Sequence, residues 1–177
     1  MRIPNLRSLG LSLLIALGGI TPVAAEEATI NAFSAWIGDG ELFPTGPDHA
    51  VFIGSLRGRI YVETEKGPID AGLLICPAMV DLNLKTGVQR ANAQCSVRSD
   101  DGARVFGTLT CLGLHLIGCD GEFEITSGTD RFDGITGGGP VTIRSDLRAL
   151  AVDLDSRRAV EAGTGTLVFR DFHYKIP

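Results

Sequence analysis

The chain has 177 residues, 44% of them hydrophobic, and a formal net charge of −5 at pH 7. This length and composition suit one domain with its own apolar core, and an acidic chain lacks the basic surface that nucleic acid binding needs. The three histidines and four cysteines show no C-x-x-C, H-x-H or H-E-x-x-H spacing, so we predict neither a metal site nor a cofactor.

The N-terminal 25 residues have the features of a secretory signal peptide. Two arginines near the start are followed by an apolar stretch, residues 9–20, that is too short to span a bilayer, and small residues at 23–25 suit signal peptidase. Cleavage after Ala25 would leave a mature domain of residues 26–177, located in the periplasm or secreted. The alternative is an N-terminal anchor that is retained.

All four cysteines lie in the mature part of the chain, where an exported protein forms disulfides. Three pairings of Cys76, Cys95, Cys111 and Cys119 are possible. We favour 76–95, because the sequence between them is typical of a hairpin with its turn at residues 85–87. The remaining pair, 111–119, would then clamp the short segment between its two cysteines.

Beyond the signal, apolar residues recur at every second position, which is the periodicity of a strand with one buried face. Turn residues separate eight predicted strands, at 28–37, 49–63, 67–84, 88–97, 103–113, 121–126, 141–150 and 163–176. Antiparallel strands at such even spacing, with no convincing helix, indicate an all-β domain, either a sandwich or a closed barrel. The turn-rich segment 38–49 is expected to be a loop, either plain or acting as a lid over a barrel mouth.

The low aromatic content argues against a barrel that spans a membrane. Outer-membrane barrels carry girdles of aromatic residues at both interfaces, whereas this chain has one Trp and two Tyr. We therefore predict no membrane insertion of the mature domain.

A glycine-rich segment, residues 121–140, could in principle hold a phosphate or form a barrel corner. Phosphate loops open a helix after a parallel strand. Here Pro140 ends the glycine run, and strand-like alternation resumes at residues 141–146. The pattern favours a corner, where glycines allow close approach of two backbones.

Within this segment, "FEITSGTDRFDGITG" is similar to the T-G-G-[ST]-G-x-F-x-G-x-x-G motif of the allene oxide cyclase and dirigent β-barrels. It most resembles the small exported bacterial proteins of that barrel class. The matching residues are Gly128, Thr129, Phe132, Gly134 and Gly137. Ser127 and Asp130 stand where the family usually has glycine, and aspartate is one of the few residues that tolerate left-handed backbone.

The resemblance implies a single antiparallel eight-stranded β-barrel with a cavity for small apolar molecules. It also implies a possible homo-oligomer, since the plant relatives are often oligomeric. The family's catalytic residues have no counterparts that can be placed on this chain, so we assign no catalytic residue by resemblance.

The last predicted strand carries the candidate site residues. Simple alternation would place two sets on opposite faces: Leu167, Phe169, Asp171 and His173 on one, and Val168, Arg170, Phe172 and Tyr174 on the other. If one face lines a cavity, Asp171 with His173, or Arg170 with Tyr174, would orient the polar end of a ligand or transfer a proton. The alternative is that these groups face water. His115 is predicted to be an exposed loop histidine.

Taken together, the sequence predicts an exported, non-catalytic barrel that binds a small apolar or amphipathic ligand or takes part in envelope interactions. The alternative function is an enzyme of the cyclase or dirigent type, which confines a reactive intermediate and guides its closure or coupling by shape. Both ligand-based functions require a cavity of several hundred Å³, and a solid core would exclude them.

Overall fold

The computed structural model describes residues 25–153 and 158–177, and within them eight strands close into one antiparallel barrel. Each strand pairs with its neighbours in the chain, and the last strand pairs with the first. The strands are β1 (Glu26–Gly46), β2 (His49–Val62), β3 (Ile69–Asn83), β4 (Val88–Arg98), β5 (Arg104–Leu114), β6 (Gly118–Gly128), β7 (Thr136–Asp153) and β8 (Arg158–Ile176). The predicted eight-stranded barrel is confirmed and the sandwich is excluded.

The only helical element of the described residues is a 3-10 turn, Asp130–Phe132, so none of their helices is long and apolar enough to cross a membrane. Residues 1–24 of the predicted signal segment lie outside the described part of the chain.

Strand alternation fills the interior. In β4, Gln89, Ala91, Ala93 and Cys95 are buried, whereas the residues between them are exposed. The same alternation on β3, β5 and β8 brings Leu74, Leu109 and Leu167 into the lumen, where each is at most 2% exposed. Burial of such side chains contributes roughly 1.5–3 kcal/mol each, so this inner face holds the barrel together.

Both predicted disulfides are present. Cys76 and Cys95 join β3 to β4 with their Cα atoms 4.1 Å apart. Pairing between these strands is interrupted between Ile75 and Ala78, where Pro77 lacks a backbone N–H. The disulfide therefore ties the two strands together at the place where the ladder is weakest. Cys111 and Cys119 join β5 to β6 across a continuous part of the ladder, with their Cα atoms 5.6 Å apart.

The hairpin between β3 and β4 turns where it was predicted to. The Asn83 side-chain oxygen accepts the backbone N–H groups of Lys85 and Thr86, both at 3.0 Å. Gly87 follows with φ +73°, a conformation that glycine adopts without strain.

The connection between β6 and β7 is the predicted barrel corner. A Cβ at Gly128 would overlap the Phe132 carbonyl oxygen, so only glycine allows the two backbone segments to approach. Asp130 has φ +56°, a left-handed conformation that aspartate tolerates better than most residues. Residues 137–140 belong to β7, whose register against β8 is irregular between Gly138 and Val141.

The predicted loop at residues 38–49 is wrong. β1 continues to Gly46, and only Pro47 and Asp48 connect it to β2. The glycines that suggested a turn are strand residues packed against β2: a Cβ at Gly40 would lie 2.5 Å from the Ile53 carbonyl oxygen. β1 is fixed in the extended conformation because β2 and β8 hydrogen bond to it from both sides.

Candidate functional site

A cavity of about 660 Å³ lies inside one end of the barrel, where β1 begins and β8 ends. Its volume falls within the range of small-molecule sites, about 300–1,000 Å³. Most of its wall is apolar: Ile30, Ala32, Ile60, Val62, Ile69, Ala71, Val97, Val105, Phe123, Ile125, Phe132, Ile135, Phe169 and Phe172. The cavity exists because several inward positions carry alanine or valine, which leave part of the lumen unfilled.

Three phenylalanines of this wall pack against one another. Phe123 of β6 packs edge to face against Phe169 and Phe172 of β8, with ring centroids 5.5 and 5.9 Å away. The two β8 rings are themselves 5.4 Å apart. A small apolar molecule in the cavity can contact the faces and edges of these rings without any rearrangement of the cluster.

The inner end of the cavity is closed by packed side chains. Along β8 the lumen-facing residues run from Glu161 to Phe169, and Leu167 lies directly before the cavity wall. Leu74 occupies the corresponding place on β3. Both leucines are 0% exposed, so the cavity opens only towards its own end of the barrel.

Carboxylates and arginines surround the mouth. The Arg59 guanidinium binds Asp70 at 2.5 Å and Asp100 at 3.2 Å, and Arg131 binds Asp101 at 2.8 Å. Hydrogen bonding by Arg59 lowers the pKa of Asp70. Among the described residues that line this cavity, the charged ones are therefore three aspartates and Arg131, and Arg59 binds two of the aspartates.

Asp101 is held by contacts with three different residues. It accepts the Ser99 hydroxyl, the Ala103 backbone N–H at 3.1 Å and the Arg131 side chain. The Ser99 hydrogen bond is the main cause of its lowered pKa. Arg131 lies in the β6–β7 corner, so this contact ties the corner to the β4–β5 turn across the rim.

Tyr174 is the polar group that reaches the cavity from the last strand. Its side chain is half-buried and lines the cavity, and its hydroxyl has no hydrogen-bond partner among the described residues. Burial, followed by the nearby Glu26 charge, raises the pKa of Tyr174. The hydroxyl therefore stays protonated and is available to donate a hydrogen bond to a bound molecule.

The faces predicted for the last strand are wrong beyond Arg170. Two residues of β8, Arg170 and Asp171, stand opposite Asn31 of β1, which is a β-bulge. Asp171 has φ +47°, and its backbone N–H donates to the Asn31 side chain at 3.0 Å. The extra residue reverses the alternation, so Phe169 and Phe172 are both buried in the lumen.

As a result, three of the four candidate residues lie on the outside of the barrel. Arg170 is exposed, 3.8 Å from Glu63. His173 is exposed and its Nδ1 is 2.7 Å from the Thr29 hydroxyl. Asp171 is exposed at the bulge, and of the four only Tyr174 lines the cavity.

A second polar cluster, missed in the sequence, lies at the opposite end of the barrel beside a smaller cavity of about 150 Å³. His115 Nδ1 is 3.1 Å from Gln89 Oε1, and His115 Nε2 is 3.2 Å from Glu161 Oε1. His115 lies in the turn between β5 and β6, as predicted, but the predicted exposure is wrong, because the imidazole is only 20% exposed. Its partners lie 26 and 46 residues away in the chain, so no local pattern could reveal them.

Comparison with known proteins adds a fold-level likeness only. No family model matches the sequence, and no curated protein matches it either. Among solved structures, the barrel is similar to the structure of the pterocarpan synthase dirigent protein GePTS1, with 10% sequence identity over 90% of this chain and 99% of that chain. The TM-score is 0.28, which is too low to carry an argument about function.

Proposed function

We propose that this chain is an exported, non-catalytic barrel protein that binds a small amphipathic molecule. The apolar part of the ligand would occupy the 660 Å³ cavity, and its polar end would lie at the mouth beside Tyr174. The observation that carries the proposal is the cavity itself: it is large, apolar and open at one end. Eight-stranded barrels have a lumen that is either filled by side chains or able to hold one small ligand, and this one belongs to the second kind.

The charges at the mouth favour a neutral or cationic polar end. Asp70, Asp100 and Asp101 outnumber Arg59 and Arg131, so an anionic head group would meet net repulsion. The protonated Tyr174 hydroxyl complements a hydrogen-bond acceptor on the ligand, such as a carbonyl or ether oxygen.

Catalysis of the cyclase or dirigent type is the second candidate, favoured by the same enclosed apolar cavity. The polar groups of the wall support binding better. Ser99 and Asp101 are hydrogen bonded to each other, and the other rim carboxylates pair with Arg59. Tyr174 is left as the free polar group facing the cavity, and one phenol provides no acid–base pair.

Export is supported by the disulfides and by the position of the first strand. Two disulfides fit an oxidising compartment. β1 begins at Glu26, so cleavage after Ala25 would release the barrel with its first strand whole.

A fluorescent apolar probe tests the binding function. N-phenyl-1-naphthylamine is neutral, and we expect its emission to rise when it enters the cavity. Replacing Ala71 of the cavity wall with phenylalanine should weaken probe binding by about tenfold, the equivalent of losing roughly 50–60 Å² of apolar contact. The anionic analogue 1-anilinonaphthalene-8-sulfonate should bind more weakly than the neutral probe, because the mouth is acidic.

The matched control is Ala35→Phe, which adds the same side chain to the exposed outer face of β1 and should leave binding unchanged. Equal loss in both variants, or no probe binding by the wild type, would refute the proposal. Native mass spectrometry of protein purified from its producing cells, before and after organic extraction, would then identify the natural ligand by its mass.

A further inference from the structure

Three polar side chains span the lumen at the end of the barrel opposite the large cavity. Gln89 belongs to β4, His115 follows β5, and Glu161 belongs to β8. In a ring of eight strands, β4 and β8 lie on opposite sides. His115 therefore bridges the two walls of the barrel, with hydrogen bonds of 3.1 and 3.2 Å.

The three side chains of this bridge are largely buried inside the barrel. Gln89 is 9% exposed, and the side chains of His115 and Glu161 are 20% and 13% exposed. The His115 backbone N–H donates to the Gly87 carbonyl at 2.8 Å, which anchors its turn to the neighbouring hairpin. All three side chains line the smaller cavity, together with Trp36.

The strength of this bridge depends on whether the His115 imidazole is neutral or protonated. Both partner atoms, Gln89 Oε1 and Glu161 Oε1, are acceptors, so the observed arrangement needs a donor on each ring nitrogen, as in the imidazolium. Neutral imidazole has one N–H. When that N–H donates to Glu161, the hydrogen bond has a neutral donor. The other ring nitrogen then accepts, and it can bind Gln89 only if the Gln89 amide rotates to present its NH₂ group.

We propose that Gln89, His115 and Glu161 form a proton-dependent latch that closes this end of the barrel. With His115 charged, the ion pair to Glu161 and the hydrogen bond to Gln89 hold the two walls together. Loss of the proton leaves a largely buried carboxylate without a cationic partner, which is costly in a low-dielectric lumen. The latch then opens, and solvent reaches the smaller cavity.

The other charged residues among the described lining of this cavity are paired with arginines. Asp39 of β1 binds Arg57 at 3.3 Å, and Asp146 of β7 lies 3.5 Å from Arg148. All four of these side chains are more than half exposed. His115 is the one histidine among the described residues that line this cavity.

The single tryptophan reports on the latch directly. Trp36 lines the smaller cavity and is 9% exposed. We would measure acrylamide quenching of its fluorescence from pH 5 to 8, dividing each quenching constant by the fluorescence lifetime. Replacing a charge-assisted hydrogen bond by a neutral one corresponds to about a tenfold change in the open population, so quenching should rise as the pH increases.

Two variants and a control make the test specific. His115→Asn should be strongly quenched at every pH, and Glu161→Gln should lose most of the pH dependence. His173→Asn, on the outer surface at the other end of the barrel, should behave as the wild type. If His115→Asn does not fold, as judged by circular dichroism, Glu161→Gln decides the outcome.

Quenching that does not change with pH in the wild type would overturn the latch, as would a wild-type pH dependence in Glu161→Gln. The measurement uses ligand-free protein and reports on the smaller cavity. Its outcome is therefore independent of whether the larger cavity binds the naphthylamine probe.

Discussion

Adding one methyl group at Gly165 tests how tightly β8 packs against Trp36, which lines the smaller cavity. Gly165 faces the lumen on β8, and a Cβ there would overlap the Arg144 carbonyl oxygen and lie 2.5 Å from Cζ2 of Trp36. The carbonyl belongs to β7, which is hydrogen bonded to β8, so it cannot move without disturbing the ladder. We expect Gly165→Ala to lower the free energy of unfolding by about 2–3 kcal/mol, in the upper part of the range for overpacking.

Gly163, two residues earlier on the same face, provides the matched control. A Cβ there would lie 3.2 Å from the Asp146 carbonyl oxygen and 3.9 Å from the Trp36 ring. Small shifts relieve such a contact, and alanine loses less backbone entropy on folding than glycine. Gly163→Ala should therefore change the stability by less than about 0.5 kcal/mol.

Urea unfolding followed by Trp36 fluorescence measures both variants, since the chain has one Trp and that residue is the neighbour in question. The native emission of Gly165→Ala should also shift, because the indole must move away from the new methyl group. Equal stability of the two variants, with unchanged native emission, would show that Trp36 is not seated against Gly165.

Three further predictions concern the disulfides, Asp101 at the mouth of the large cavity, and the N-terminus. Replacing Cys76 and Cys95 together by alanine opens a loop of sequence separation 19 and should cost about 3 kcal/mol in urea unfolding. The Cys111/Cys119 pair, with separation 8, should cost somewhat less on the same chain-entropy reasoning. The lowered pKa of Asp101 means that its stabilising contribution is present above the unfolded-state pKa and is lost as the pH falls through the folded-state pKa. Thermal melts between pH 6 and 2 should therefore fall less steeply for Asp101→Asn than for the wild type, and parallel curves would contradict this role. Intact-mass analysis of the exported protein should show a chain that begins at Glu26 and has both disulfides formed, whereas a retained leader would refute the predicted cleavage.

Much of the barrel follows from alternation, because burial on one face of a strand is a local property. The β3–β4 hairpin and the partner of Cys76 could be predicted for this reason: the turn at residues 85–87 fixes which positions stand opposite one another. The corner at residues 128–135 was also predictable, since its glycines mark backbone approaches that exclude a side chain.

The errors come from properties that depend on neighbouring strands. Gly38 and Gly40 are typical of a turn in isolation, and they are extended only because β2 and β8 pair with β1 on both sides. The bulge at Asp171 has no local signal either. An extra residue is visible only when β8 is aligned with Asn31 and its neighbours on β1. This one extra residue exchanges the inward-facing and outward-facing positions of β8 beyond Arg170.

The order of residues on β8 shows how one strand gives the two ends of the barrel different properties. Starting from the end of the barrel that carries Glu161, the lumen-facing residues of β8 are Glu161, then Gly163 and Gly165 beside Trp36, then Leu167. Beyond the bulge they are Phe172 and Tyr174. Strict alternation would have placed Asp171 and His173 in the large cavity instead, where burying two ionisable groups without partners is unfavourable. The bulge thus allows β8 to place polar residues on the outer surface while an aromatic wall faces the large cavity, and the fully buried Leu167 separates that cavity from the smaller one at the opposite end.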